Sequence, residues 1–200
     1  MELQQQAKQL ERKLNELNSR QALFARNRAL NRSSKRLSTL VSRDTAKKER
    51  LKSSLIKRKI RVIQRKKQGA AVVIIGRTAI PAIHIGEART QIKRKNKQYL
   101  VSSAQRDKRG RYAKRQHSGN TAIRVGRHVF ANAFLQRLDS GRWHILQRKT
   151  SKRYPIDLAK VPISGSITEA ADKHSKYIVS EYFPSLLVKD LKYRIDKLSK

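Results

Sequence analysis

Metal binding and proton transfer in proteins most often involve His, Asp and Glu side chains. The chain has 14 Asp and Glu residues against 49 Lys and Arg, too few acids to predict the carboxylate cluster of a metal-dependent nuclease. It contains neither a Gly-rich phosphate loop nor a Gly-x-Ser-x-Gly motif. The five histidines have no metal-ligand spacing; they are His84, His117, His128, His144 and His174. We therefore predict no enzyme activity, no metal site, no cofactor and no small-molecule substrate.

A β-hairpin at residues 129–149 has the clearest local signals in the chain. The segment 138–141, Leu-Asp-Ser-Gly, favours a tight reversal because Asp and Ser bond their own backbone and Gly accepts positive φ. The flanking segments 129–137 and 142–149 mix apolar and basic residues without a helical period. This pattern predicts two antiparallel strands.

Within and after this hairpin, apolar residues are assigned to the core, and arginines are assigned to contacts at an interface or around the hairpin. The predicted core anchors are Phe134, Trp143, Ile145 and Pro155. The predicted interface or hairpin contacts are Arg142, Arg148 and Arg153. Asp139 and Asp157 are interpreted as turn and ion-pair residues rather than catalytic acids. The residue chemistry alone suits a hairpin in any small basic domain as well as a more specific role.

Several short runs in this region also match one protein family. They are Ser140-Gly141-Arg142-Trp143-His144, Leu146-Gln147-Arg148 and Arg153-Tyr154-Pro155-Ile156-Asp157, with weaker matches at 47–51, 79–89 and Pro184. In these motifs the sequence resembles the phage minor tail protein Z family, the lambda-like tail completion proteins of long-tailed bacteriophages. The resemblance covers residues 44–89 and 121–190, and it includes no motif in residues 1–43 or 90–120.

The resemblance implies a structural virion protein that completes the tail near its head-proximal end. The implied partners are other phage tail proteins, namely the tail terminator, the tail tube or the tape measure protein. Because related tail proteins form rings around the lumen, we expect a homo-oligomeric ring around the DNA channel. The expected location is the virion tail, after assembly in the host cytoplasm, and contact with genomic DNA is left open.

The charge of the chain is high and unevenly distributed. The formal net charge is +35, with +16 in residues 1–68, +17 in residues 69–165 and only +2 in residues 166–200. Self-repulsion of this size favours binding to a polyanion or an assembly partner.

The chain has no Cys, which agrees with a reducing compartment. No signal peptide is predicted, because the first residues are Met-Glu-Leu-Gln-Gln-Gln. No membrane span is predicted, because the longest aliphatic run, 70–75, is too short to cross a bilayer.

Helices are predicted at both ends of the chain. A heptad seam indicates an N-terminal helix that packs on the same protein or a neighbour, and its residues are Leu3, Ala7, Leu10, Leu14 and Leu17. Asp44 is predicted to cap a second helix. Ser166 and Glu169 have the spacing of a capping box at the start of a C-terminal helix. Pro184 is expected to kink or break that helix.

The middle of the chain is predicted to form strands. Alternation from Lys59 predicts one strand, and the β-branched run 70–75 predicts a central strand. Further strands are expected at 81–85 and 121–125. The predicted fold is α+β, with long N-terminal helices, a small and mostly antiparallel sheet and a C-terminal helix. Three segments are predicted: a basic helical region at 1–58, a β-rich core at 59–165 and a helical segment at 166–200.

An insert at residues 90–120 is rich in basic residues and poor in apolar ones, which predicts an extended arm. The residues predicted to contact DNA or an acidic partner are Lys93, Arg94, Lys95, Lys97, Arg106, Lys108, Arg109, Arg111, Lys114 and Arg115. This charge also suits an alternative function, a basic nucleic-acid-binding protein of ribosomal or DNA-packaging type. However, the sequence has no zinc-knuckle, RRM or KH signature.

Overall fold

The computed structural model describes residues 2–86, 88–93, 99–100, 121–139, 141–150 and 154–198. It confirms the predicted α+β class. The helices are α1 (Glu2–Lys48), α2 (Ser53–Lys57), α3 (Ser164–Tyr177) and α4 (Phe183–Leu198). The strands are β1 (Ile60–Arg65), β2 (Ala70–Ile75), β3 (Ile80–Pro81), β4 (Ala88–Lys93), β5 (Tyr99–Leu100), β6 (Thr121–Val125), β7 (His128–Ala131), β8 (Ala133–Arg137), β9 (Trp143–Arg148), β10 (Ile156–Leu158) and β11 (Lys160–Val161). Contacts divide the chain into two compact units, a helical unit (1–78 with 163–200) and a strand unit (79–162). The predicted division into three segments, with boundaries after residues 58 and 165, stays a prediction.

In the helical unit, the apolar seam of α1 packs against α4. Leu14 and Leu191 are fully buried at this contact, whereas Leu3 at the helix start is 40% exposed. The buried cluster comprises Ala7, Leu14, Ala22, Ala25, Ala29, Leu187, Val188 and Leu191. The heptad pattern was thus a correct guide to the buried face, and its partner is a helix of the same chain.

The N-terminal region is one continuous helix, so the prediction of a second helix capped at Asp44 is wrong. Residues 2–48 contain no Gly or Pro, and nothing in the backbone therefore interrupts the hydrogen-bond ladder. The helix ends where Arg50 adopts a φ of 53°. There the Leu51 N–H donates to the Ala46 carbonyl over 2.9 Å, as in a C-terminal helix cap.

Strands β1 and β2 form an antiparallel hairpin that packs on α1. The hairpin turns at Gly69, which has a φ of 58°. A Cβ at this position would lie 3.2 Å from the Leu23 side chain, so α1 lies directly against the turn. Asn27 of α1 also donates to the Lys66 carbonyl over 2.9 Å. The β1 strand is confirmed, but β2 is not central, because among the described strands it pairs with β1 alone.

The C-terminal helical segment starts earlier than the capping-box prediction. The Ile167 N–H already donates to the Ile163 carbonyl, and α3 begins at Ser164. Ser166 Oγ donates to that same carbonyl over 3.1 Å instead of capping the helix. The break near Pro184 is confirmed: a π-helical turn, Ile178–Tyr182, separates α3 from α4. Proline has no N–H to continue an α-helical ladder.

The strand unit contains a four-stranded sheet in the order β5-β4-β6-β7, a three-stranded sheet in the order β10-β9-β8, and the β3-β11 pair. The predicted hairpin is present, but its first strand begins at Ala133. Asn132 has a φ of 55° and directs the chain from β7, which pairs with β6, to β8, which pairs with β9. The single strand predicted over 129–137 is therefore wrong, because its two halves have different partners.

Two other strand predictions have different outcomes. The strand at 121–125 is confirmed as β6. The strand predicted at 81–85 is wrong: β3 ends at Pro81 and a 3₁₀ turn, Ala82–His84, follows. The turn begins where the Ala82 N–H donates to the Ala159 carbonyl over 2.8 Å. The buried residues of this unit include Ile80, Ile85, Ile123, Val125, Phe130, Ala133, Ile145 and Val161.

Candidate interaction surfaces

The tip of the β8-β9 hairpin is a tight turn, as predicted. The Gly141 N–H donates to the Leu138 carbonyl over 2.8 Å, and the Leu138 N–H donates to the Arg142 carbonyl over 3.0 Å. Gly141 has a φ of 74°, a conformation that glycine adopts without steric cost. Arg137 Nε also donates to the Gly141 carbonyl over 3.0 Å, which attaches the side chain at the end of β8 to the turn.

Only some of the four predicted core anchors are buried. Ile145 is fully buried and Phe134 is half-buried, but Trp143 is 57% exposed and Pro155 is exposed. The prediction that Trp143 and Pro155 anchor the core is therefore wrong. Trp143 and Ile145 share one face of β9, because residues two apart on a strand point the same way. Trp143 pairs with Arg137 at the turn end of the hairpin, where its side chain is exposed.

The three predicted contact arginines have different environments. The Arg148 guanidinium lies 5.2 Å from the centre of the Phe134 ring, within the range of a cation–π interaction. Arg142 is exposed beside the turn. Arg153 lies outside the described residues. Asp157 forms an ion pair with Lys149, as its interpretation required. The exposed tip therefore presents Trp143 with Arg142.

Of the ten predicted contact residues of the basic insert, Lys93 alone lies within the described residues. Lys93 ends β4, which pairs with β5 and β6. The other nine predicted contact residues lie outside the described residues; they are Arg94, Lys95, Lys97, Arg106, Lys108, Arg109, Arg111, Lys114 and Arg115. Their contact with DNA or an acidic partner stays a prediction.

In the helical unit, polar contacts join α1 to the C-terminal helices. Asp190 of α4 accepts from Arg28 of α1 over 3.1 Å and from Arg194 over 3.0 Å. Arg194 also contacts Gln21. Near the other end of α1, Lys48 pairs with Glu169 of α3. The Asp190–Arg194 contact lies within α4, four residues apart. The three contacts that join α1 to the C-terminal helices have partners more than 100 residues apart, and no short motif in the sequence marks them.

A partly buried histidine also contacts α1. His174 Nε2 lies 2.6 Å from the Asp44 carboxylate, and because a carboxylate only accepts, the ring N–H is the donor. This hydrogen bond, followed by the charges of His174 and Lys173, holds the pKa of Asp44 below its usual value. Asp44 was predicted to cap a helix, but it instead joins α1 to α3.

The Asp44 contact predicts an acid-dependent loss of stability. Because the folded-state pKa is lowered from 3.8, the stabilisation is complete above that pH and is lost as the pH falls through the folded-state value. We expect Asp44→Asn to be less stable than the parent at pH 7 and to depend less on pH in the acid range. Urea unfolding between pH 2.5 and 7 measures this. The control Asp172→Asn changes an exposed acid on α3; if both variants follow the parent's pH profile, the Asp44 contact does not stabilise the fold.

Comparison with known proteins defines the class. A model of the prophage minor tail protein Z (GPZ) family matches residues 6–200, so the chain belongs to this family and has a structural role in a phage tail. The chain is 30% identical over 192 residues to the tail completion protein of Escherichia phage N15, and the aligned region covers 92% of this chain and 89% of that protein. It is 28% identical over 169 residues to tail completion protein Z of Escherichia phage lambda, and the aligned region covers 84% of this chain and 83% of that protein. No solved structure matches the chain.

Among the described residues, no helix has the length and apolarity needed to cross a bilayer. The same part of the chain contains no group of three or more His, Cys, Asp or Glu side chains placed to hold a metal ion.

Proposed function

We propose that the chain is a tail completion subunit that acts at the head-proximal end of a long-tailed phage tail. The observation that carries this proposal is the family match, which extends over residues 6–200. The completion role is inferred from the N15 and lambda relatives, which are named as tail completion proteins. The subunit forms a homo-oligomeric ring around the DNA channel and contacts the tail terminator, the tail tube or the tape measure protein. It acts without catalysis, and it assembles in the host cytoplasm.

The exposed residues of the strand unit support such contacts. Trp and Arg are the residue types most enriched where protein interfaces bind tightly, and both occur at the hairpin tip as Trp143 and Arg142. The large positive charge suits a subunit near a channel that passes DNA, since phosphate attraction does not require base recognition.

The proposal is tested with tails assembled in cells that lack the gene for this chain. We expect these tails to give non-infectious particles, and we expect purified full-length chain to restore infectivity. In electron-microscope images, adding the chain should produce ring-shaped density at the head-proximal end only. Tails that are fully infectious without the chain would contradict the completion role. Density at the distal end would contradict the proposed location, and density without rotational symmetry would contradict the ring.

The second candidate function is nucleic-acid binding without a role in tail assembly. The observation in its favour is the basic insert, in which one acid stands against ten Lys and Arg between residues 90 and 120. The two functions differ in what the charge serves. A tail subunit requires protein partners whatever its affinity for DNA, whereas a nucleic-acid-binding protein would leave tail assembly unaffected when removed.

A further inference from the structure

The β1-β2 hairpin has two faces with different surroundings. One face carries Ile60, Val62 and Val73, all half-buried in a hairpin that packs on α1. On the other face Ile63, Val72 and Ile74 are 40%, 39% and 49% exposed. Antiparallel sheets that cover a core on one side normally present polar residues to solvent on the other. Here the solvent side carries three large aliphatic side chains.

The exposed aliphatic residues form one patch rather than scattered positions. In the antiparallel register, Ile63 lies directly opposite Val72, and Ile74 lies opposite Arg61. Residues opposite each other in a sheet have Cβ atoms about 5 Å apart, so the three aliphatic side chains are neighbours. A contiguous apolar patch with a polar rim is the feature that marks interaction sites on soluble proteins.

The rim of this patch is positively charged. Arg61 and Arg65 alternate with Ile63 along β1 and are exposed on the same face. Residues 53–86 contain eight Lys and Arg and no Asp or Glu. Within the part of the chain that the structure describes, neither Arg61 nor Arg65 has an acidic partner, so their charge is not neutralised there. The patch therefore combines aliphatic surface with uncompensated positive charge.

We propose that this outer face, defined as Arg61, Ile63, Arg65, Val72 and Ile74, binds a segment of another tail protein that carries aliphatic and acidic side chains. The inference deepens the proposed tail role and rests on it. Arg61 and Arg65 are four residues apart on β1, which places them about 13 Å apart. The complementary segment presents two acids about this distance apart on either side of an aliphatic stretch.

The other kinds of partner fit this face less well. A second copy in a two-fold arrangement would bring Arg61 and Arg65 against the same arginines, between chains that each carry +35. DNA would neutralise the arginines but would leave the aliphatic side chains exposed, since phosphates and sugars offer no comparable apolar surface. An acidic and aliphatic protein segment satisfies both halves of the patch.

The first test compares incorporation of purified variants into tails that lack the chain. The variant Ile63→Thr/Ile74→Thr keeps β-branched residues in the strands. Because both positions are exposed, it should melt close to the parent. We expect its incorporation to fall at least tenfold. The matched control is Val129→Thr, an exposed β-branched position, 63% exposed, in the strand unit; it should be incorporated as the parent is.

The charge of the outer face is tested separately. Arg61→Glu/Arg65→Glu should also lose incorporation, whereas Lys189→Glu/Lys192→Glu, at exposed positions of α4, should not.

The second test identifies the partner without relying on a loss of function. Full-length chain with Ile74→p-benzoylphenylalanine is assembled into tails and irradiated, and the crosslinked peptide is sequenced. The expected product is a peptide of a different tail protein that contains aliphatic residues and Asp or Glu. A crosslink to a second copy, a crosslink to DNA, or no crosslink in assembled tails overturns the inference.

Failure of this inference can be distinguished from failure of the proposed function. If tails are complete and infectious without the chain, the completion role fails. If the chain is required but Ile63→Thr/Ile74→Thr is incorporated as well as the parent, the role stands and the outer face is not the contact.

Discussion

Ile145→Ala is expected to lower the free energy of unfolding by about 2–5 kcal/mol, the usual cost of truncating a buried Ile or Leu. Ile145 is 0% exposed in β9, and it pairs with Leu135 across the β8-β9 hairpin. Loss of its side chain removes apolar burial and leaves a cavity. Since domains are typically stable by about 5–15 kcal/mol, the variant should unfold at a clearly lower urea concentration than the parent.

Trp143→Ala is the matched control on the same strand and the same face. Because its side chain is 57% exposed, we expect its loss to change the free energy of unfolding by less than about 1 kcal/mol, as for most surface substitutions. Urea unfolding followed by far-ultraviolet circular dichroism measures both variants without the tryptophan signal. Equal losses for the two variants would mean that Trp143 is covered in the folded chain, and that its exposed position is wrong.

Neutralising five residues of the basic insert should greatly weaken the salt dependence of DNA binding. The variant carries Gln at Lys93, Arg94, Lys95, Arg109 and Arg111. If each of these side chains neutralises one phosphate of duplex DNA, the slope of log affinity against log salt should become less negative by about 4–5. Affinity at low salt should then fall for all sequences alike. Fluorescence anisotropy with two unrelated duplexes, from 50 to 300 mM salt, measures the slopes.

A variant with the same charge change elsewhere distinguishes the insert from net charge. Gln at five exposed positions of α1, namely Arg12, Lys13, Lys35, Arg36 and Arg43, should leave the slope near that of the parent. Equal slopes for the parent and the insert variant would mean that the insert does not touch DNA. A loss confined to one duplex sequence would indicate base recognition and favour the nucleic-acid-binding alternative. The same samples with Mg²⁺ should leave the DNA uncut; cleavage would contradict the proposal that the chain is not an enzyme.

Local sequence determined the features that depend on a few neighbouring residues. The turn at 138–141 was predictable because a glycine stands where positive φ is needed, at Gly141. The buried face of α1 followed from the spacing of its apolar residues, and β1 followed from alternation. The interruption before α4 followed from Pro184, which has no backbone donor. The family resemblance likewise depended on short motifs that could be read along the chain.

Tertiary structure decided which segments meet and where burial ends. Asn132 divides an apparently continuous strand because its two halves pair with different strands, β6 and β9. Asp44 looked like a cap, yet its hydrogen-bond partner, His174, is 130 residues away. Trp143 and Ile145 occupy equivalent positions in the alternation of β9, but one is exposed and the other is buried. The alternation of a strand determines only the direction of a side chain. Whether another element lies over it depends on packing between residues far apart in the chain.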